Sequence, residues 1–295
     1  MNTFQHSPYS GPLKAVIFDW AGTTVDYGCF GPVRAFREVF RTRFIEPTVE
    51  EVRQHMGLDK LEHLKLMSVM PRIRNLWLAI YGEEPGEAAI AEMLQHFEAI
   101  RVRSLREHSS LVPGLLDVVA YLRGMGLRIG STTGYNSVVA SLMRDEAARL
   151  GYWPDCVVCA SDVPAGRPHP WMCFRNAMEL GVYPMSAMVK VGDTIKDVHE
   201  GLNAGMWTVA VTESGNEMGL THADVLALPA PERARRLRAI EERMTAAGAH
   251  FVIEDIRGLL PVIDEINHRL ASGIRPDERL PSPVAEPERP CDAHH

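Results

Sequence analysis

Ala15-Val16-Ile17-Phe18-Asp19-Trp20-Ala21-Gly22-Thr23-Thr24 is the stretch that decides the fold. Its four β-prone or aromatic residues read as a strand buried on both faces, the pattern of a parallel sheet covered by helices. The strand delivers a carboxylate, Asp19, directly into a Gly/Thr-rich turn. At the C-terminal edge of an open α/β sheet, such a side chain stands where these folds place their ligands. Taken alone, Asp19 serves equally well as the cap of a following helix. Three downstream segments shift that balance.

In Met188-Val189-Lys190-Val191-Gly192-Asp193-Thr194-Ile195-Lys196-Asp197 a second strand ends in an aspartate, and Asp197 follows one helical turn later on the face of Asp193. Strand-end acids from two parts of the chain, with that partner, can hold one hard divalent cation. Mg²⁺ suits them best, because it uses few protein carboxylates and keeps several waters. Leu127-Arg128-Ile129-Gly130-Ser131-Thr132-Thr133-Gly134-Tyr135 is a short strand ending in hydroxyls and a glycine, a setting for a phosphate at a helix N-terminus. Val163-Pro164-Ala165-Gly166-Arg167-Pro168 is a rigid turn presenting one arginine, able to neutralise a phosphoryl group that two carboxylates repel.

Strands predicted near 14–19, 127–132, 156–160, 188–193, 207–212 and 250–253 alternate with helical patterns, which implies an α/β fold with a doubly wound, Rossmann-like parallel sheet. Between the first two strands helical periodicity dominates: Val33, Phe36, Val39 and Phe40, then Leu61, Leu64 and Met67, recur at three- and four-residue spacings. The long charged segment 213–248 contains Pro229 and Pro231 and is expected to form short helices over the sheet edge. Beyond about residue 271 the chain is rich in Pro, Ser, Glu and Arg, and disorder is expected there.

A chain of 295 residues can bury a full core, and its net charge of −7 gives no reason to expect nucleic acid or an anionic membrane as partner. Five cysteines, an odd number without framework spacing, fit a reducing cytoplasm. Met1–Pro8 has neither a basic n-region nor an apolar h-region, so secretion is not expected, and no apolar run approaches a membrane span. Cys156-Val157-Val158-Cys159 is a C-x-x-C in a strand-like run, where residues three apart point to opposite faces, so buried structural thiols are expected rather than a zinc or redox pair.

The order strand-end Asp19, strand-end Thr133, Arg167, then Gly192-Asp193-x-x-x-Asp197 resembles the haloacid dehalogenase-like superfamily of phosphoryl-transfer enzymes. That resemblance implies an α-helical cap inserted in the α/β core, here residues 27–106, with the core formed by 1–26 and 107–270 and a tail at 271–295. Most phosphatases of the superfamily carry a second Asp two residues after the nucleophile; here the position is Ala21. The cap stretch Gln54-His55-Met56-Gly57-Leu58-Asp59-Lys60-Leu61-Glu62-His63 adds a lysine and a histidine that share a face if helical.

With Asp19–Phe30, Met56-Gly57-Leu58, Gly130–Tyr135, Val163–Pro168, Pro170–Cys173, Met178–Met185 and Asn203–Val209, the chain resembles the phosphonoacetaldehyde hydrolase (phosphonatase) family across about residues 13–268. The resemblance implies hydrolysis of the P–C bond of phosphonoacetaldehyde, a small-molecule substrate from 2-aminoethylphosphonate degradation, to acetaldehyde and phosphate. Lys60 is then the Schiff-base amine, Asp19 the nucleophile and His63 a proton shuttle. Mg²⁺ is held by Asp19, the backbone carbonyl of Ala21 and Asp193, with Asp197 behind them. Thr133, Arg167, Cys29, Met56, Gly57 and Tyr135 surround substrate and phosphate, and a homodimer forms through the cap. An imine leaves no alkoxide to protonate, which accounts for Ala21. Lys60 must also lose its proton well below the usual lysine value of about 10.4, which desolvation under a closed cap favours. The rival expectations are another phosphatase of the superfamily, or a non-catalytic relative that binds a phosphorylated ligand.

Overall fold

A computed structural model of the chain describes residues 9–278. Its centre is a six-stranded sheet in the order β3-β2-β1-β4-β5-β6. The strands are β1 Ala15–Phe18, β2 Arg128–Thr133, β3 Cys156–Cys159, β4 Met188–Gly192, β5 Trp207–Val211 and β6 Phe251–Ile253, and all neighbours run parallel. β1 is buried along its whole length, as its unbroken apolar run requires. Phe18 pairs with Ser131 on one side and Val191 on the other, so the ends of β1, β2 and β4 lie side by side. The chain leaves β1 for β2 on one side and returns to β4 on the other. That reversal is the switch point where doubly wound sheets open a crevice.

The helical insertion after β1 consists of α1 Phe30–Arg41, α2 Val49–Arg53, α3 Lys60–Ser68, α4 Pro71–Tyr81 and α5 Glu87–Ser104, and a sixth helix then leads into β2. Their starts are written locally. Thr48 and Glu51 form a reciprocal capping box on α2, Asp59 caps α3 by accepting from the Glu62 N–H at 3.1 Å, and Pro71 opens α4. The stripe expected on α3 is mostly internal, with Leu64 and Met67 fully buried and Leu61 partly exposed. Phe36 and Phe97 join α1 to α5 with ring centroids 4.5 Å apart. The two connections to the sheet run together, the Asp26 N–H donating to Ser110 O at 3.1 Å and the Val112 N–H to Thr24 O at 2.9 Å.

The remaining helices are α6 Leu115–Gly124, α7 Ser137–Arg149, α8 Trp171–Leu180, α9 Ile195–Asn203, α10 His222–Ala227, α11 Ala230–Ala246 and α12 Leu259–Ala271. The segment from 213 departs from expectation. α10 is short, but α11 is one helix of 17 residues, because Pro231 falls in its first turn, where a missing N–H costs nothing. Residues 272–278 continue as turns, and the rest of the expected disordered tail lies outside the described residues. Among those residues no helix is long and apolar enough to cross a membrane. Cys159 is buried, with its thiol donating to Asp162 Oδ2 at 2.9 Å, and Cys156 is half-buried; both are free.

Candidate active site

Asp19 follows β1 and is held there by its backbone N–H, which donates to Val191 O at 2.9 Å. The turn after it is tight. Thr24 Oγ1 donates to Asp19 O at 3.0 Å, and Ser214 Oγ donates to Gly22 O at 2.6 Å. Gly22 has φ +87°, and a Cβ there would stand 2.4 Å from Asp193 Oδ2 and 2.5 Å from Cys29 Sγ. Only glycine lets the turn pass beneath those groups.

Asp193 follows β4 and is fully wrapped. Its Oδ1 accepts from Thr23 Oγ1 at 3.2 Å; its Oδ2 accepts from the Asn216 N–H at 2.7 Å and the Cys29 thiol at 3.4 Å. Burial, then the charges of Asp19 and Asp197, push its carboxyl well above the usual range. Carboxylate oxygens of Asp19, Asp193 and Asp197 all lie within 4.8 Å of one another.

Behind them is a buried ion cluster centred on Arg167. It donates to Asp19 Oδ1 at 2.6 Å, to Thr132 Oγ1 at 2.7 Å and to Glu200 Oε2 at 2.9 Å, and its Nη1 lies 3.1 Å from Asp197 Oδ1. Lys190 Nζ donates to Asp197 Oδ1 at 2.7 Å. Burial alone would lower the Arg167 value, but Asp19, Asp197 and Glu200 outweigh it and hold the guanidinium well above its ordinary pKa. Asp197 is the mirror case: burial would raise it, and Arg167 and Lys190 keep it below the usual carboxylate range. Burial raises Glu200 despite the same two cations. Four buried acids, Asp19, Asp193, Asp197 and Glu200, thus face two buried cationic side chains, Arg167 and Lys190. The excess of buried acids over cations and the all-oxygen donors fit one hard divalent cation.

Lys60 starts α3 and faces this cluster from the helical side. Its ammonium makes one long hydrogen bond, to Leu58 O at 3.4 Å, and lies 4.9 Å from the Tyr135 ring centroid and 6.0 Å from that of Phe36. The side chain of its neighbour Asp59 is engaged in capping α3. Burial, reinforced by Arg167 and Arg101 and opposed by Asp19, lowers Lys60 to about 8.

Between Lys60 and Asp19 is a small chamber of about 20 Å³, room for a water molecule. Of the residues singled out in the sequence, Asp19, Ala21, Cys29, Met56, Gly57, Lys60, Thr133, Tyr135 and Arg167 line it. Asp193 reaches its edge through Cys29, and Asp197 lies beneath Arg167. His63 is not brought to it. The imidazole is fully buried, its Nε2 is 2.9 Å from Val52 O, and its ring rests on Phe36 at 3.9 Å between centroids. Burial, then the charge of Lys60, pushes its pKa well down, so the ring stays neutral. A wider groove of about 380 Å³ adjoins the chamber, sharing Lys60, Gly134 and Tyr135 with it.

Sequence reasoning missed Lys190, Glu200 and Arg101. A lysine inside the apolar run Met188–Val191 was a readable signal, as was Glu200 three residues beyond Asp197 on one helix face. Arg101 gave none, since it stands two residues from the exposed Arg103 at the end of α5 and reads like it.

Residues 13–205 match the family model of haloacid dehalogenase-like hydrolases. A phosphonoacetaldehyde hydrolase-like protein of Syntrophobacter fumaroxidans is 49% identical over 277 residues, covering 94% of this chain and all of that protein. A phosphonoacetaldehyde hydrolase of Bacillus cytotoxicus is 48% identical over 254 residues, covering 86% of this chain and 96% of its own. The crystal structure of a phosphonoacetaldehyde hydrolase-like protein from Oleispira antarctica superposes with a TM-score of 0.90 at 40% identity, covering 93% of this chain and 99% of that one. With a helical insertion, a three-aspartate cluster and a cap-side lysine around one chamber, the chain belongs to the haloacid dehalogenase-like hydrolases and, within them, to the phosphonoacetaldehyde hydrolase family.

Proposed function

We propose that the enzyme hydrolyses the P–C bond of phosphonoacetaldehyde to acetaldehyde and phosphate through an imine on Lys60 and an aspartyl phosphate on Asp19. One observation carries this reading: the Lys60 amine, with no ion-pair partner among the described residues, stands across a small chamber from a strand-end carboxylate. Direct P–C cleavage expels a carbanion. The amine of Lys60 condenses with the aldehyde, and the resulting iminium accepts the electron pair as the bond breaks. Asp19 attacks phosphorus in line, and the phosphoryl group passes to its carboxylate. The enamine is protonated and its imine hydrolysed, which frees acetaldehyde and Lys60; water then cleaves the aspartyl phosphate. No alkoxide forms at any stage, so Ala21 suffices where other phosphatases of the superfamily use an acid.

Asp19, the Ala21 carbonyl and Asp193 would hold Mg²⁺, which would supply positive charge beside the transferring phosphoryl group. Arg167 stands over Asp19 and neutralises the incoming phosphonate, while Asp197, Glu200 and Lys190 fix its orientation. Thr133 and the amides after it receive the phosphoryl oxygens. Cys29, Met56, Gly57 and Tyr135 form the wall that keeps Lys60 dry. His63 acts by packing Phe36 behind Lys60, in place of the proton shuttle expected from sequence.

The working unit is a cap of residues 27–106 on a core of 1–26 and 107–270. Exposed Val69, Leu76, Ile80 and Tyr81 support a homodimer through the cap, and unpaired cysteines support a cytoplasmic setting. The test is release of acetaldehyde and phosphate from phosphonoacetaldehyde by wild type and Lys60→Ala, with Mg²⁺ or EDTA. Equal amounts of both products, abolished by EDTA and by the substitution, are expected. Hydrolysis of an ordinary phosphate ester by both proteins, with the phosphonate untouched, would leave a generic phosphatase instead.

A further inference from the structure

Arg101 is the unexplained charge of this molecule. It projects from the last turn of α5, is fully buried, and none of its three guanidinium nitrogens has a hydrogen-bond partner among the described residues. Asp26 stands just across Gly31, where a Cβ would come 2.0 Å from Arg101 Nη1 and 2.9 Å from Asp26 Oδ2. The Asp26 oxygens are already engaged. They accept from the Phe30 and Gly31 amides at 3.2 and 2.9 Å, and His108 Nδ1 lies 3.6 Å from Oδ1.

An arginine keeps its proton when buried, so this is a fixed positive charge and not a titrating one. The last turn of a helix tolerates a cation, but packing alone would be served by an apolar side chain without an unpaired buried charge. What the guanidinium reaches is Tyr135. Its carbon lies 5.2 Å from the ring centroid, and Lys60 Nζ lies 4.9 Å from the same point. The two charges are therefore no more than about 10 Å apart, a separation at which like charges inside a protein shift a protonation equilibrium by roughly tenfold. Resting on the imine reading above, we infer that Arg101 is a positioning residue for that reaction: it braces the Tyr135 ring beside Lys60, and its fixed charge keeps the amine free to attack the carbonyl.

The other groups around Lys60 leave this role open. Asp19, across the chamber, and Asp59, its neighbour in sequence, favour the ammonium; Arg167 and Arg101 oppose it. Glu98 of α5 borders the groove that Lys60 shares, while Tyr135 and the Cys29 thiol line the chamber and His63 on α3 is neutral. Arg167 is paired with Asp19, Asp197 and Glu200, so its charge is largely answered within the floor. The incoming phosphonate neutralises it further. Arg101 lines neither the chamber nor the groove, so no substrate group meets it, and its influence on Lys60 persists in the loaded enzyme.

The test is the pH profile of kcat/KM for phosphonoacetaldehyde, with borohydride trapping of Lys60 in parallel, for wild type, Arg101→Met, Arg101→Gln and Asp26→Asn. Without the positive charge, Lys60 holds its proton to higher pH. In both neutral Arg101 variants the rising limb is expected to move up by about half to one pH unit. Their kcat/KM then falls roughly 3- to 10-fold at about pH 7 and recovers in the alkaline range. The two replacements differ in polarity, so if a melting curve shows one to be unfolded, the other decides. Asp26→Asn removes the acid that partly offsets Arg101, and is expected to lower the limb or leave it in place. An unmoved limb in the neutral Arg101 variants would overturn the inference and leave the imine reading standing. A limb raised by Asp26→Asn as well would also overturn it, because loosened packing, and not charge, would then be the cause. Wild type that neither cleaves the aldehyde nor is trapped at Lys60 would remove the imine reading and this inference together.

Discussion

The floor and the roof of the chamber solve opposite electrostatic problems. On the floor, Arg167 and Lys190 stitch Asp19, Asp197 and Glu200 into one buried network, and the two cations hold Asp197 below the usual carboxylate range. On the roof, Lys60 has one long hydrogen bond, two aromatic neighbours and no paired acid among the described residues, and burial drives it toward the neutral form. The floor side chains are buried, whereas Lys60 is half-buried and also borders the wider groove. Within the floor, burial opposes ionisation of both Asp197 and Glu200, and the two cations outweigh it at Asp197 but not at Glu200.

The largest effect should separate the two half-reactions. Asp19→Asn is expected to cut phosphate release by roughly 10⁴-fold or more, while borohydride with substrate still labels Lys60. Absence of that labelling would show that floor and roof are not independent. Lys60→Met is expected to abolish P–C cleavage and to raise the melting temperature, because it removes a desolvated amine. A lower melting temperature would mean Lys60 is better satisfied than its contacts indicate.

Glu200→Gln tests the floor. Breaking its pairing with Arg167 and Lys190 is expected to lower kcat by about 100-fold, the scale of a misplaced catalytic group, and to destabilise the fold by about 3–5 kcal/mol, measured by denaturant unfolding. The opposite stability signs of the Glu200 and Lys60 variants are the sharpest form of the comparison.

The pH dependence comes next. Lys60 titrates near 8 in the folded enzyme, so kcat/KM should climb as pH rises through about 8, where the ammonium becomes the free amine. In linkage terms the unfolded chain holds this proton up to the ordinary value of 10.5, so the stability cost is full below about 8 and fades as pH approaches 10.5. A flat rate profile between pH 7 and 9 would remove Lys60 as the titrating group. The smallest effect is expected from Asp59→Ala, which removes the cap of α3 and costs about 1 kcal/mol, read as a small fall in melting temperature with modest loss of activity.

Much of the fold was legible because both periodicities were clean. Each of the six strands falls within two residues of its sequence-read bounds, and Asp19 and Asp193 follow strands as their apolar runs require. The chamber was legible where chemistry coincides with a local pattern, as at Lys60 and Arg167. What escaped depends on long-range packing. The heptad-like neighbours of His63 say that it is on a face, but not that Phe36 from another helix fills the space between it and the cleft. Arg101 looks like its solvated neighbour Arg103, because α5 turns only one of the two inward. Pro231 reads as a breaker until its place in the first turn of α11 is known.

Where the helical insertion meets the sheet edge, contact is made through two glycines. A Cβ on Gly57, at φ +92°, would lie 2.5 Å from Thr194 Oγ1, and one on Gly134 would lie 2.5 Å from Leu58 O. The seam is thus toleranced to less than a methyl group, and side-chain size at position 134 becomes a shim. A graded set of substitutions there, from alanine to valine, would widen the seam by increments and act as a dial for how much bulk water reaches Asp19 and Lys60.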